Sequence, residues 1–379
     1  MRPTDRRTFS ASAVGRAFLV FLPALFLSAT CRAAADLPDT SVQRIRLGAG
    51  VGVMHDDNIL QYSDGQIATF EAGTHPDRYS IETIGDVVWE PSVSLAYTKD
   101  RGTRRGRMVR LRWSGSFHAT NQTADYGAGS VTWRESFSKG RAITFGVYKL
   151  PNYYLRQLRD EDIPLGGGVS RYRRATFDLT IGSIEWRQRV APGTTLSLDY
   201  QFERRAYNED FRERDSDTHV AGLGGDWSPK AKPFSLAGSA AYRASRAAGE
   251  DGDEVAGVPP DDADISYNGM VFSAGTRVDL AHGSSGRLEG EIGSGVSTRN
   301  YTTDRVNDTS HYQRDDLLFN MTVGLRWNPR GPFSLRGFYE HENNKATFSS
   351  PTPPTSDPSS YSANMVGMSV DWGRSLWRR

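Results

Sequence analysis

The chain has 379 residues, with 46 basic against 45 acidic, a net charge of +1 and a single cysteine, Cys31. That balance offers no basic surface for nucleic acid, and one cysteine excludes a disulfide framework. Only 37% of residues are apolar and 24% are charged, and beyond the N-terminus no segment is long and apolar enough for a membrane helix. A soluble all-β protein and a membrane barrel with a polar interior both remain open.

In chain order, residues 1–35 come first. Arg2, Arg6, Arg7 and Arg16 precede an apolar stretch, 17–30, and then Ala33-Ala34-Ala35. This is the basic, apolar and small-residue succession of a secretory signal peptide, cleaved before Asp36. Weaker alternatives are a twin-arginine signal in "DRRTF" and a lipid anchor on Cys31. Cleavage removes five arginines and one aspartate, so 41 basic residues face 44 acidic ones and the net charge becomes −3. Residues 36–379 are expected to form one domain.

Residues 43–53 alternate. Ile45, Leu47, Ala49, Val51 and Val53 fall on one face, and Arg44, Arg46, Gly48, Gly50 and Gly52 on the other. The run ends in His55-Asp56-Asp57-Asn58. Asp and Asn stop strands and cap turns through side-chain-to-backbone bonds. The other reading is an outer-rim site for a divalent cation or a polar ligand, since oxygen ligands suit calcium or magnesium.

The same period of two recurs at 109–118, 195–203 and 317–327 and marks strands with one apolar and one polar face. Short links near 99–106, 138–140, 190–194, 228–232, 282–286 and 328–332 alternate with links near 54–84, 120–125, 154–170, 206–217, 247–263, 301–312 and 345–360, most of them long. All short links then lie at one end. This predicts an all-β transmembrane antiparallel up-and-down barrel of about 14 strands, with short periplasmic turns and long outer loops. Extra β-structure in 54–84 would raise the number. Trp133, Trp186, Trp227, Trp327 and Trp372 close strands running toward the short turns. Tyr153, Tyr172, Tyr207, Tyr267, Tyr301, Tyr312 and Tyr361 cluster toward the long loops. Together they suggest two interfacial aromatic belts.

Two stretches carry resemblances. Residues 365–372, "MVGMSVDW", resemble the C-terminal assembly signal of bacterial outer-membrane barrels, through Gly367, Val370 and Trp372; Met365 and the tail "GRSLWRR" depart from that pattern. A glycine-rich first strand ending in "DDNIL" after a signal peptide resembles a family of outer-membrane β-barrels, some linked to exopolysaccharide export. The resemblance implies a porin-like channel or an export accessory in the Gram-negative outer membrane, with no catalytic residues to carry over. It implies as partners lipopolysaccharide, the barrel assembly machinery and polysaccharide-export components. A monomer without cofactor or metal is expected. A non-conducting barrel that binds through its loops is the alternative.

An enzyme would need a nucleophile, a base and an orienting group together. Of the seven histidines only His118 falls inside a strand on the polar face, beside Ser114 and Ser116. No nucleophile elbow, zinc motif or phosphate loop is present, so no catalytic residue is expected. The polar faces are more informative. Arg44, Arg46, Arg110 and Arg112 lie near the closing seam. Asp178, Asp199, Glu203, Glu289 and Glu291 lie mostly opposite, with Arg326, Arg336 and Glu340 completing the wall. Either these charges pair with one another, or they set a transverse field across a water-filled pore.

Overall fold

The computed structural model describes residues 42–101, 105–138, 140–160, 171–229, 232–249, 264–306, 308, 310–349 and 360–378. The expected signal peptide, 1–35, lies outside them. The strands are β1 (Val42–Asp56), β2 (Asp86–Arg101), β3 (Arg105–His118), β4 (Tyr126–Ser138), β5 (Arg141–Arg159), β6 (Tyr172–Ala191) and β7 (Thr194–Tyr207). They continue with β8 (Ser216–Trp227), β9 (Phe234–Ala247), β10 (Tyr267–Gly283), β11 (Gly286–Tyr301), β12 (Arg314–Pro329), β13 (Phe333–Phe348) and β14 (Tyr361–Arg378). Each pairs antiparallel with its chain neighbour, and β1 pairs with β14 to close the barrel. Closure leaves no unpaired sheet edge, which is the condition for crossing a hydrocarbon layer with strands.

The strict alternation of links holds. With fourteen strands at about 4.8 Å spacing and roughly 40° tilt, the barrel is about 28 Å across between backbones. Outward positions are apolar and exposed, among them Leu95, Leu111, Val131, Val147, Leu223, Ile292, Val323 and Val366. In water such a surface would be costly; in lipid it is the solvated face. The chain is built to sit in an outer membrane.

Trp133, Trp227 and Trp327 point outward near the short-turn end, and Trp133 stacks on Phe145 at 5.3 Å. The second belt differs from expectation. Strand alternation turns Tyr153, Tyr207, Tyr267, Tyr301 and Tyr361 inward, where they stack on or hydrogen-bond to inner-wall and loop groups. The outer aromatics at that end are instead Trp89, Trp113, Phe117, Tyr242, Phe272, Phe319 and Tyr339.

The C-terminal tail is no appendage. β14 pairs with β1 as far as Arg44 opposite Arg378, with one irregularity at Ile45/Arg46. Val370 lies opposite Val51 on the outer face. Gly367 lies inside, where a Cβ would come within 2.7–2.9 Å of Met54 and Phe338. Segment 57–85 holds no further strand. It folds as helix α1 (Asp64–Glu71) and a 3-10 turn, Pro76–Arg78. Ser63 starts α1 with a capping box: its hydroxyl accepts from Gln66 N–H, and the Gln66 side chain accepts from Ser63 N–H.

Candidate functional site: the lumen and the segment that crosses its mouth

The residues after β1 answer the question that His55-Asp56-Asp57-Asn58 raises. Asp56 Oδ1 accepts from Asn58 N–H at 2.9 Å, turning the chain. Asp57 accepts from Asn364 N–H at 2.7 Å and from Asn364 Nδ2 at 2.8 Å, and its own N–H donates to Asn364 O. Asn58 is buried; its Nδ2 donates to Tyr62 O at 2.8 Å and Ser362 O at 3.0 Å, while its Oδ1 accepts from Tyr62 N–H at 2.8 Å. These side chains sew the start of the loop to β14 across the closing seam. His55 takes no part and stays exposed. Among the described residues no three His, Cys, Asp or Glu side chains are grouped as metal ligands.

Turned inward, the segment meets both sides of the barrel. Gln61 Nε2 donates to Glu342 on β13 at 2.9 Å. Arg156 on β5 donates to Leu60 O at 2.8 Å, and its guanidinium lies over the Tyr62 ring at 5.2 Å. β5 and β13 are six steps apart around a ring of fourteen strands, so they stand nearly opposite. A segment whose neighbouring residues touch both walls lies across the mouth. A small apolar core holds it there: Leu60, Tyr62 and Ile81 with Ala124 and Tyr154, flanked by Ile67, Phe70 and Tyr79. Asn121 ties its far end, accepting from Glu82 N–H at 2.8 Å and donating to Thr83 O. Burial pushes the Tyr62 and Tyr79 phenols up, so both are neutral.

Below this segment, alternation places Arg44, Arg46, Arg110, Arg112, Asp199, Glu203, Glu289, Glu291, Arg326, Arg336 and Glu340 on the inner wall. Asp178 is a correction. It shares the face of Ile184 and Trp186 and pairs outside with Lys149 at 2.8 Å. β6 has 20 residues, rising about 50 Å when tilted, against an apolar band of about 25 Å. Asp178 lies about 33 Å above the short-turn end of its strand, so its charge meets water outside the membrane.

Of the two readings of the wall charges, pairing describes the acidic side. Most acidic groups opposite the seam are neutralised on the wall. Glu203 lies 3.5 Å from Arg205 and 3.8 Å from Arg243; Glu289 lies 3.1 Å from Arg287; Glu291 pairs with Arg336. Arg187 adds a pair with Asp226 at 2.8 Å. In contrast, Arg46, Arg110 and Arg112 are exposed to the lumen and, among the described residues, make no ion pair within 4.0 Å.

A second inner feature was not legible as such. Tyr126, Tyr153, Phe177 and Tyr207 lie on four consecutive strands with ring centroids 5.2, 5.2 and 5.1 Å apart. The spacing is that of the strands, so the rings form an arc around the inner wall near the long-loop end. The signal available was the odd-numbered run Phe177, Leu179, Ile181, whose alternation is out of phase with Ile184 and Trp186. His118, the sequence's best candidate base, accepts or donates through Nδ1 with Asp125 Oδ1 at 3.2 Å. Among the described hydrogen bonds none joins it to a serine.

No family model and no curated protein sequence matches the chain. Solved structures do. A bacterial polysaccharide outer membrane secretin aligns over 89% of this chain and 99% of its own at 11% identity, with a TM-score of 0.41. The outer membrane channel DcaP of Acinetobacter baumannii aligns over 88% and 97% at 11% identity and a TM-score of 0.45. OprD of Pseudomonas aeruginosa aligns over 91% and 98% at 13% identity and a TM-score of 0.37. These likenesses are of barrel architecture, and no solute is inferred from them. From its own pairing and facing, the chain is a closed, 14-stranded antiparallel barrel of the outer-membrane type.

Proposed function

We propose that this protein is an outer-membrane channel for polar solutes, narrowed at its outer mouth by segment 57–85. The observation that carries this is the division of roles inside the barrel. Below the aromatic arc of β4–β7 the wall is largely polar and charged, as a water-filled lumen requires. One ordered segment is held across the mouth by named bonds, and nothing in that bonding needs a dry, packed barrel below it. The inner aromatic arc favours a finer version, in which the solute carries sugar units. Half-buried rings offer flat apolar faces beside the tyrosine hydroxyls, the combination that orients a polar ligand with apolar patches. On this version the protein passes saccharides or serves polysaccharide export. Swelling of liposomes that contain the refolded protein tests both. Uptake of mono- and disaccharides, falling with chain length, supports a narrowed channel. Exclusion of every sugar while the barrel is folded favours a barrel that binds through its loops.

A further inference from the structure

We infer that the lumen carries an oxyanion-binding subsite over β2, clamped between arginines of β1 and β3. It rests on the channel reading for its biological use, but not for its chemistry. The register sets it up. Arg46, Ala96, Arg110 and Thr132 form one row across β1 to β4. Gly48, Ser94, Arg112 and Ser130 form the next row, and Arg44, Thr98, Met108 and Arg134 the row below. The inner face of β2 is therefore small (Ser92, Ser94, Ala96, Thr98), with an arginine column on each side. The columns stand two strands apart, about 10 Å between backbones. The register sets Arg46 and Arg110 on either side of Ala96, with Arg112 beside Ser94, and two extended arginine side chains are together long enough to span that gap. Glycines keep the floor low on the β1 side. A Cβ at Gly50 would come within 2.6 Å of Asp371 Oδ1, and one at Gly48 within 2.8 Å of Ser94 Oγ.

The electrostatics point the same way. Below the rim the inner faces of β1–β4 hold five arginines (44, 46, 110, 112, 134) against Glu90 and Asp100, a balance of 5 − 2 = +3, with the Asp371 carboxylate of β14 standing beside Gly50 at its edge. Asp100 is 3.9 Å from Arg44, and Glu90 acts electrostatically on Arg112. Arg46, Arg110 and Arg112 are exposed to the lumen and, among the described residues, make no ion pair, so their donors are open to an acceptor from solution. Guanidinium forks match the spaced oxygens of phosphate or carboxylate. The ligand class is a solute bearing a phosphate or a carboxylate, such as a sugar acid. A neutral sugar lacks the matching charge.

The test is isothermal titration of the refolded protein in low-salt zwitterionic detergent, using inorganic phosphate, glucuronate and glucose as separate probes. Saturable binding of phosphate or glucuronate, but not glucose, is expected; which anion binds tighter identifies the source. The Arg46→Ala/Arg110→Ala pair should weaken binding roughly tenfold or more, through lost charge-assisted bonds. Arg287→Ala, on a wall where that arginine is already paired, should leave binding unchanged. Ser94→Glu is the second variant: it removes no arginine but supplies an internal carboxylate, and should abolish binding. Circular dichroism and heat-modifiable gel migration report folding of each. Absent saturable binding, or equal affinity in folded Ser94→Glu, overturns the subsite. A conducting barrel without anion binding would sink the subsite alone; a silent barrel that binds phosphate would sink the channel alone.

Discussion

Replacing Asn58 with alanine should release the segment that crosses the mouth. Asn58 is 2% exposed and its side chain makes three hydrogen bonds, two donated to Tyr62 O and Ser362 O and one accepted from Tyr62 N–H. At about 0.5–1.5 kcal/mol each, their loss destabilises the closed arrangement by about 1.5–4.5 kcal/mol, with Tyr62 N–H left seeking a partner. A central value of about 3 kcal/mol raises the population of the released segment roughly a hundredfold. Asn58→Asp keeps the acceptor for Tyr62 N–H and loses both donors, so its effect should be intermediate. Hydrogen exchange of amides 59–72 reads the release directly, and single-channel current reads its consequence. Exchange should quicken while open-state flicker and mean step size grow. If exchange quickens and the current is superimposable on wild type, the segment is mobile but lies off the permeation path, and the reasoning fails.

Leu198 and Asp199 lie on opposite faces of β7, about 10–13 Å above its short-turn end. Leu198→Arg should hinder assembly, at about 2–4 kcal/mol for a cation near mid-bilayer on the lipid face, whereas Asp199→Arg should fold, as read by heat-modifiable migration. Asp178→Cys should react with a membrane-impermeant maleimide on intact cells, because its strand end stands in outer water; protection there would restore the lumen assignment. Burial holds the His311 imidazole below its usual value, against the upward pull of Asp308 at 2.9 Å. The unfolded loop then binds a proton that the folded loop refuses. Loop stability is therefore complete above about pH 6.5 and falls as pH drops below it. Proteolysis within 302–313 should quicken between pH 7.5 and 5, and His311→Gln should flatten that dependence.

Alternation and link length made the barrel legible because both are local: facing has period two, and a turn is a few residues. The strand number and the closing pair followed. The crossing segment was not legible, since Asn58 finds Ser362 across 304 positions and Gln61 finds Glu342 across 281. His55-Asp56-Asp57-Asn58 read as rim turn chemistry, and Asp56 and Asn58 do turn the chain; what local sequence did not show is that Asp57 and Asn58 also bind β14 across the seam. Asp178 was misplaced because Phe177, Leu179 and Ile181 look like a lipid face. They line the upper inner wall beside Tyr148, Leu150 and Tyr153, while β5 absorbs two register shifts opposite them. The tyrosines were read as an outer belt for the same reason: an apolar ring near a strand end fits either face, and only the pairing parity decides.

The central claim is a conducting lumen under a partial cover. Single-channel recording of refolded residues 36–379 in a planar bilayer tests it most directly. The account expects discrete current steps in wild type that enlarge when residues 60–80 are replaced by a short Gly-Ser linker. A correctly folded barrel that passes no current in either form would contradict it.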